Sequence, residues 1–127
     1  MNPILVDTDV IIDFLRGNVQ AKKYFIANIN IMHISGITMA ELFAGVREGS
    51  EKKILEKVLG SIKVIHIDND IAKMGGLYKR DFRKSHNVSL ADAIIAATAE
   101  IHKLSLKTFN IKHFPMIKTV AAPYKKL

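Results

Sequence analysis

The chain has 127 residues, of which 49% are hydrophobic, enough for one domain with a real core. Basic residues outnumber acidic ones 19 to 12, and the resulting charge of +7 favours polyanionic partners such as nucleic acid or an acidic protein tail. Cysteine is absent, which excludes disulfides, thiolate catalysis and cysteine zinc sites, and no apolar run approaches the roughly 20 residues of a membrane span.

Asp7, Asp9 and Asp13 interrupt the N-terminal apolar region, so a secretory leader is not expected and a cytoplasmic location is. Ile4-Leu5-Val6 ends at Asp7 and reads as a buried parallel strand. Asp9 stands where a helix cap belongs, ahead of Val10, Ile11, Phe14 and Leu15; that helix stops at Gly17-Asn18. A second short helix runs from Val19 to Ala27, anchored by Tyr24 and Phe25. Ile29, Ile31 and Ile34 mark a second strand. Thr38 opens a helix with Leu42, Phe43 and Val46 on one face. Ser50 caps another, which Gly60 ends. Val64 to Ile67 is a third strand. Asp70 begins a long helix whose Gly75-Gly76 pair costs about 1 kcal/mol per glycine relative to alanine, so close packing or a kink is expected there.

Ser89 caps a helix built almost wholly of small and apolar residues, in which Asp92 is the single charge before Glu100. Leu104 to Thr108 is a fourth strand, Asn110 to Phe114 a turn, and Lys118 to Val120 a short edge strand. No linker or repeat interrupts the chain, so residues 1–127 read as a single domain. Strands alternating with helices imply an α/β fold with a parallel sheet covered on both faces. In such sheets, sites form at the carboxyl ends of the strands.

The acids carry the chemistry. Asp7 follows the first strand, where the sheet presents side chains to its crevice; Asp9 divides evenly between a helix cap and a functional role, and Asp13 is expected to face solvent. Glu41 in Thr38-Met39-Ala40-Glu41 and Asp92 in Ser89-Leu90-Ala91-Asp92 both have capping-box spacing, a structural role that uses only part of a carboxylate's capacity. Asp7, Glu41 and Asp92 together would repel one another unless a cation lay between them. Oxygen ligands without cysteine or histidine suit Mg²⁺ or Mn²⁺ rather than zinc, and such ions clamp phosphoryl oxygens and activate water.

Four stretches carry a family resemblance. Val6-Asp7-Thr8-Asp9-Val10-Ile11-Ile12-Asp13 resembles the opening motif of the PIN domain, especially its VapC-type toxin branch. Ile37 to Gly45 is similar to that family's second motif, Leu90 to Ala99 to its third, and Leu106 to Phe114 to its fourth. The resemblance implies a three-layer α/β/α sandwich with a central, mostly parallel sheet of four to five strands. It also implies an Mg²⁺- or Mn²⁺-dependent endoribonuclease cutting RNA such as tRNA or rRNA, silenced by a VapB-type antitoxin and forming a homodimer. By position, Asp7, Glu41 and Asp92 match the metal-site acids, and Thr8 and Ser35 the supporting hydroxyls. Many PIN nucleases have aspartates in the fourth motif; here Asn110 and His113 stand instead, and Asn110 joins the catalytic set without adding charge.

In the resulting mechanism Asp7 and Asp92 hold the ion, while Glu41 completes its shell or orients the attacking water. Arg16, Arg47, Arg80, Arg83, Lys84 and His113 are the expected contacts to RNA or antitoxin, with Lys79 crowding the same helix end. Two rivals use other features. A phosphoacceptor receiver domain would use Asp68, after the third strand, and a non-catalytic binding module would use the helix acids only as caps.

Overall fold

A computed structural model of the chain describes residues 2–126. Its order is β1 (Ile4–Val6), α1 (Thr8–Leu15), α2 (Val19–Asn28), β2 (Met32–Ser35), α3 (Gly36–Gly45), α4 (Ser50–Leu59), β3 (Lys63–Ile65), α5 (Asn69–His86), α6 (Leu90–His102) and β4 (Ser105–Lys107). Single 3₁₀ turns occupy Ile29–Ile31 and Ile111–His113. The first of these takes the start of the expected second strand, which therefore begins only at Met32. At the other end of the chain, the strand expected over Lys118 to Val120 reduces to one parallel bridge, between Lys107 and Ala121.

The four strands form one sheet in the order β3-β2-β1-β4, and every pairing is parallel. Alternation along the strands divides the core. Ile4, Val6, Met32 and Ile34 face a layer that includes Val10, Ile11, Phe25 and Leu55. Leu5 and Leu106 face the other way, onto Ile95, Ala96 and Ala99 of α6 together with Phe114. Helices thus cover both faces, giving the three-layer α/β/α architecture that the motif resemblance implies. Within the second layer α5 and α6 touch closely. A Cβ on Gly75 would lie 3.0 Å from Ile94 Cγ1 and 3.2 Å from its Cα, so the glycine serves close packing, whereas Gly76 has open space.

The topology also fixes where a site can form. From β1 the chain moves outward through β2 to β3, then crosses back to place β4 on the other side of β1. The direction of strand addition reverses between β1 and β4, which leaves a crevice above their carboxyl ends. Asp7 follows one of these strands and Thr108 to Asn110 the other.

Candidate active site

Asp7 continues the strand pairing of β1, its N–H donating to the Lys107 carbonyl at 2.9 Å. Its extended backbone makes it the N-cap of α1, so the cap is Asp7 and not Asp9 as the sequence led us to expect. Asp7 Oδ1 accepts from the Thr8 N–H at 2.8 Å, and Oδ2 accepts from the Thr108 hydroxyl at 2.7 Å. The side chain is only 5% exposed. Burial, followed by the neighbouring Asp9 charge, pushes its pKa up to about 7 against the two hydrogen bonds, and Asp92 adds to the rise. A carboxylate so placed gives up its proton less readily than a free one, and a nearby cation would stabilise its charged form.

Released from the cap position, Asp9 lies inside α1 and reaches across to the loop after β4. Its Oδ2 accepts from the Phe109 N–H at 3.0 Å and from the Asn110 amide at 3.4 Å. Its Oδ1 is buried and has no hydrogen-bond partner among the described residues. Burial raises its pKa as well, opposed first by the Phe109 N–H. The Asn110 N–H also donates to the Thr108 hydroxyl at 3.0 Å, so one threonine links the loop backbone to Asp7. Asp13, expected to face solvent, is instead buried. Its carboxylate accepts from the Tyr124 hydroxyl at 3.0 Å and pairs with the Lys126 ammonium at 3.3 Å.

Glu41 is reached through Thr8, whose hydroxyl donates to Oε1 at 2.7 Å. The capping box expected at Thr38 is not made: α3 starts at Gly36, and Ser35 caps it by accepting from the Ile37 N–H at 3.3 Å. Thr38 is consequently buried within the first turn, and Glu41 stands exposed one turn further on. At Asp92 half of the box forms. Its N–H donates to the Ser89 hydroxyl at 3.0 Å, while Asp92 Oδ2 lies 3.5 Å from His113 Nδ1. Ser35 is fully buried at the end of β2 and accepts from the buried Thr98 hydroxyl at 3.4 Å.

The crevice therefore brings together Asp7, Thr8, Asp9, Asp92, Asn110 and His113, with Glu41 joined through Thr8. Each acid is drawn toward its own protein donor or neighbour. Among the described residues no three Asp, Glu or His side chains close round a single point. The donor set nevertheless suits a hard divalent cation: it offers carboxylates and hydroxyls, one of its acids has a bare buried oxygen, and another has its pKa raised by burial and then by neighbouring acids. Asp9, which the sequence left evenly divided between a cap and a functional role, is brought to this crevice by its bonds to the loop after β4. The available signal was its place in Asp7-Thr8-Asp9, directly after a buried strand.

The basic candidates divide by environment. Arg16 and Arg47 line, with Glu41, a cavity of about 490 Å³ walled by Ile12, Leu42 and Val46. Arg83 and Lys84 are exposed in the last turn of α5, the end that leads to Ser89 and Asp92. Arg80 pairs with its neighbour Asp81 at 2.8 Å, and Lys79 is tied to the Val88 carbonyl at 2.7 Å. A separate apolar groove of about 500 Å³ lies between α2 and α4, where Ile26 is 82% exposed beside Phe14, Phe25 and Ile54. Asp68, the acid a receiver domain would use, caps α5 by accepting from the Ile71 N–H at 2.9 Å. It follows the edge strand β3, which β2 separates from β1 and Asp7.

Comparison with known proteins agrees with this geometry. Residues 4–117 match the PIN domain family. The chain is 38% identical over 124 residues to ribonuclease VapC10 of Mycobacterium tuberculosis, covering 95% of this chain and 92% of that protein. It is 37% identical over 124 residues to ribonuclease VapC19 of the same organism, covering 94% and 98%. Among solved structures it is similar to a chain of a toxin–antitoxin complex from Klebsiella pneumoniae, with a TM-score of 0.82, 32% identity, and coverage of 97% of this chain and 99% of that one.

Proposed function

The chain belongs to the PIN domain family, and from that premise we propose that it is a metal-dependent endoribonuclease acting as the toxin of a VapBC-type toxin–antitoxin pair. The observation that carries the proposal is Asp7. It is a buried carboxylate at the carboxyl end of a central strand, pushed up to about 7 by burial and by the acids around it. Its two hydrogen bonds, from the Thr8 N–H and the Thr108 hydroxyl, bring no positive charge, and the counter-charge that reconciles several carboxylates is a divalent cation.

Asp7, Glu41 and Asp92 would hold Mg²⁺ or Mn²⁺, which supplies an activated water and offsets charge on the phosphoryl oxygens. The remaining steps belong to the protein. Thr108 and the Thr8 N–H orient the two oxygens of Asp7, and the Thr8 hydroxyl holds Glu41 toward the crevice. Asn110 lies beside Asp9 at the crevice and adds no charge of its own. Arg16, Arg47, Arg83 and Lys84 supply contacts to RNA phosphates. Such contacts fix the position of the strand without reading its sequence.

The similarity to a toxin–antitoxin complex supports a VapB-type antitoxin as partner, and the exposed apolar groove between α2 and α4 offers it a surface to cover. Self-association as a homodimer belongs to the same proposal and is measured by sedimentation velocity. The functional test is induced expression in a bacterial host. Growth should stop and RNA should be cleaved with the wild-type chain, while Asp7→Asn, expressed to the same level, should leave both unaffected. Equal arrest by the two proteins would overturn the proposal. Asp68 as an alternative phosphoacceptor finds no support, because its carboxylate caps a helix two strands away from Asp7.

A further inference from the structure

We propose that Asp9 is a fourth carboxylate of the metal centre, supplying the charge that Asn110 does not. The inference rests on the metal-dependent proposal above and adds a residue to it. Its basis is the asymmetry of the Asp9 carboxylate. Both donors from the loop after β4, the Phe109 N–H and the Asn110 amide, converge on Oδ2. That leaves Oδ1 buried and bare of hydrogen bonds among the described residues. Leaving a buried acceptor unsatisfied costs on the order of 1–3 kcal/mol, and more when it is charged. The two bonds on Oδ2 fix the carboxylate's orientation, so the bare oxygen is held in place and not merely free to turn.

Asp9 also ties together the two strand ends that make the crevice. It sits in the first turn of α1, two residues after Asp7, and its bonds reach the loop that follows β4. Asn110 brings an uncharged amide to this place, and the carboxylate that the amide contacts is Asp9. A cation in the crevice would satisfy the bare oxygen and offset the repulsion between Asp9 and Asp7. If Asp9 served only to hold the loop, asparagine would serve as well, because its carbonyl can accept from the Phe109 N–H.

That contrast defines the experiment, a titration of metal-free protein with Mn²⁺ alone, without RNA, followed by calorimetry or electron paramagnetic resonance. Asp9→Asn should weaken Mn²⁺ binding by about tenfold or more, as expected on losing a charged ligand. The melting temperature in EDTA should be unchanged or higher. A second variant, Asp9→Asn with Asn110→Asp, moves the carboxylate across the 3.4 Å contact and should recover much of the affinity. The assignment stands if affinity falls while the metal-free melting temperature holds, or if the double variant recovers it. Equal affinity in wild type and Asp9→Asn overturns it. So does a loss that comes with a lower melting temperature and that the double variant leaves in place. A wild-type chain that binds no Mn²⁺ would instead overturn the metal-dependent proposal itself.

Discussion

At the scale of single residues, Asp7 makes stability and pH opposed quantities. Its pKa is about 7 in the native state against an ordinary value of 3.8. Between those limits the native state keeps a proton that the unfolded chain has released, so stability falls as pH rises. The contribution is fully present below about pH 4 and is lost as pH passes 7. Asn in its place keeps the helix cap and cannot ionise. In EDTA, the stability of Asp7→Asn relative to wild type should therefore grow by about 2–3 kcal/mol between pH 5 and pH 8; a difference independent of pH would contradict this. The positions of Asp7 after a strand and Asp92 in a helix's first turn were legible in the sequence, whereas Glu41 was placed in a capping box at Thr38 that does not form. The surroundings of Asp9 and Asp13 were not legible. Their partners are about a hundred residues away along the chain, and no local spacing announces them.

Elements were easier to recognise than their ends. All four strands and all six helices were legible from apolar periodicity, because burial on one or both faces dictates that pattern. The caps slipped by a few residues where two candidates stood close together, Asp7 before Asp9 and Ser35 before Thr38, since either side chain can accept from a free helix N–H. The last described residues were the least legible. Residue Ala121 pairs beside β4, accepting from the Thr108 N–H at 3.0 Å and donating to the Leu106 carbonyl at 3.1 Å. Beyond it the chain crosses to α1, where Tyr124 meets Asp13 and packs edge-on against Phe109, with ring centroids 5.1 Å apart. The Lys126 ammonium lies over the Phe109 ring, 4.6 Å from its centroid. This strap thus braces the loop that carries Phe109 and Asn110 to Asp9. Tyr124→Phe keeps the ring contacts and removes only the hydroxyl, so it should cost about 1–2 kcal/mol. Urea unfolding should show a lower midpoint at unchanged slope, and an unchanged midpoint would mean that the bond to Asp13 contributes nothing.

Across the whole molecule, one sheet order explains why Asp7 and Asp9 meet Thr108 to Asn110 at one crevice: β1 and β4 are neighbours although the chain visits them first and last. Sequence motifs read in order anticipated that convergence, but the side-chain partners within it came only from the three-dimensional arrangement. The acidic crevice is set in a chain of net charge +7, which suits a polyanionic substrate. If Arg16 and Arg47 each contact a phosphate, then replacing both with Gln should reduce the salt dependence of single-stranded RNA binding. The slope of log affinity against log salt should become shallower by about 1.4, and an unchanged slope would remove both from the interface. The central claim is that these acids serve catalysis ahead of folding, and Asp92 tests it most directly because its half-formed capping box offers a structural role instead. The measurement is RNA cleavage by purified wild-type and Asp92→Asn proteins in Mn²⁺ and in EDTA, with melting temperatures recorded alongside. Cleavage should be lost in Asp92→Asn and in EDTA while the melting temperature of the variant stays within a few degrees of wild type. Full cleavage by Asp92→Asn, or by the wild type in EDTA, would contradict the claim.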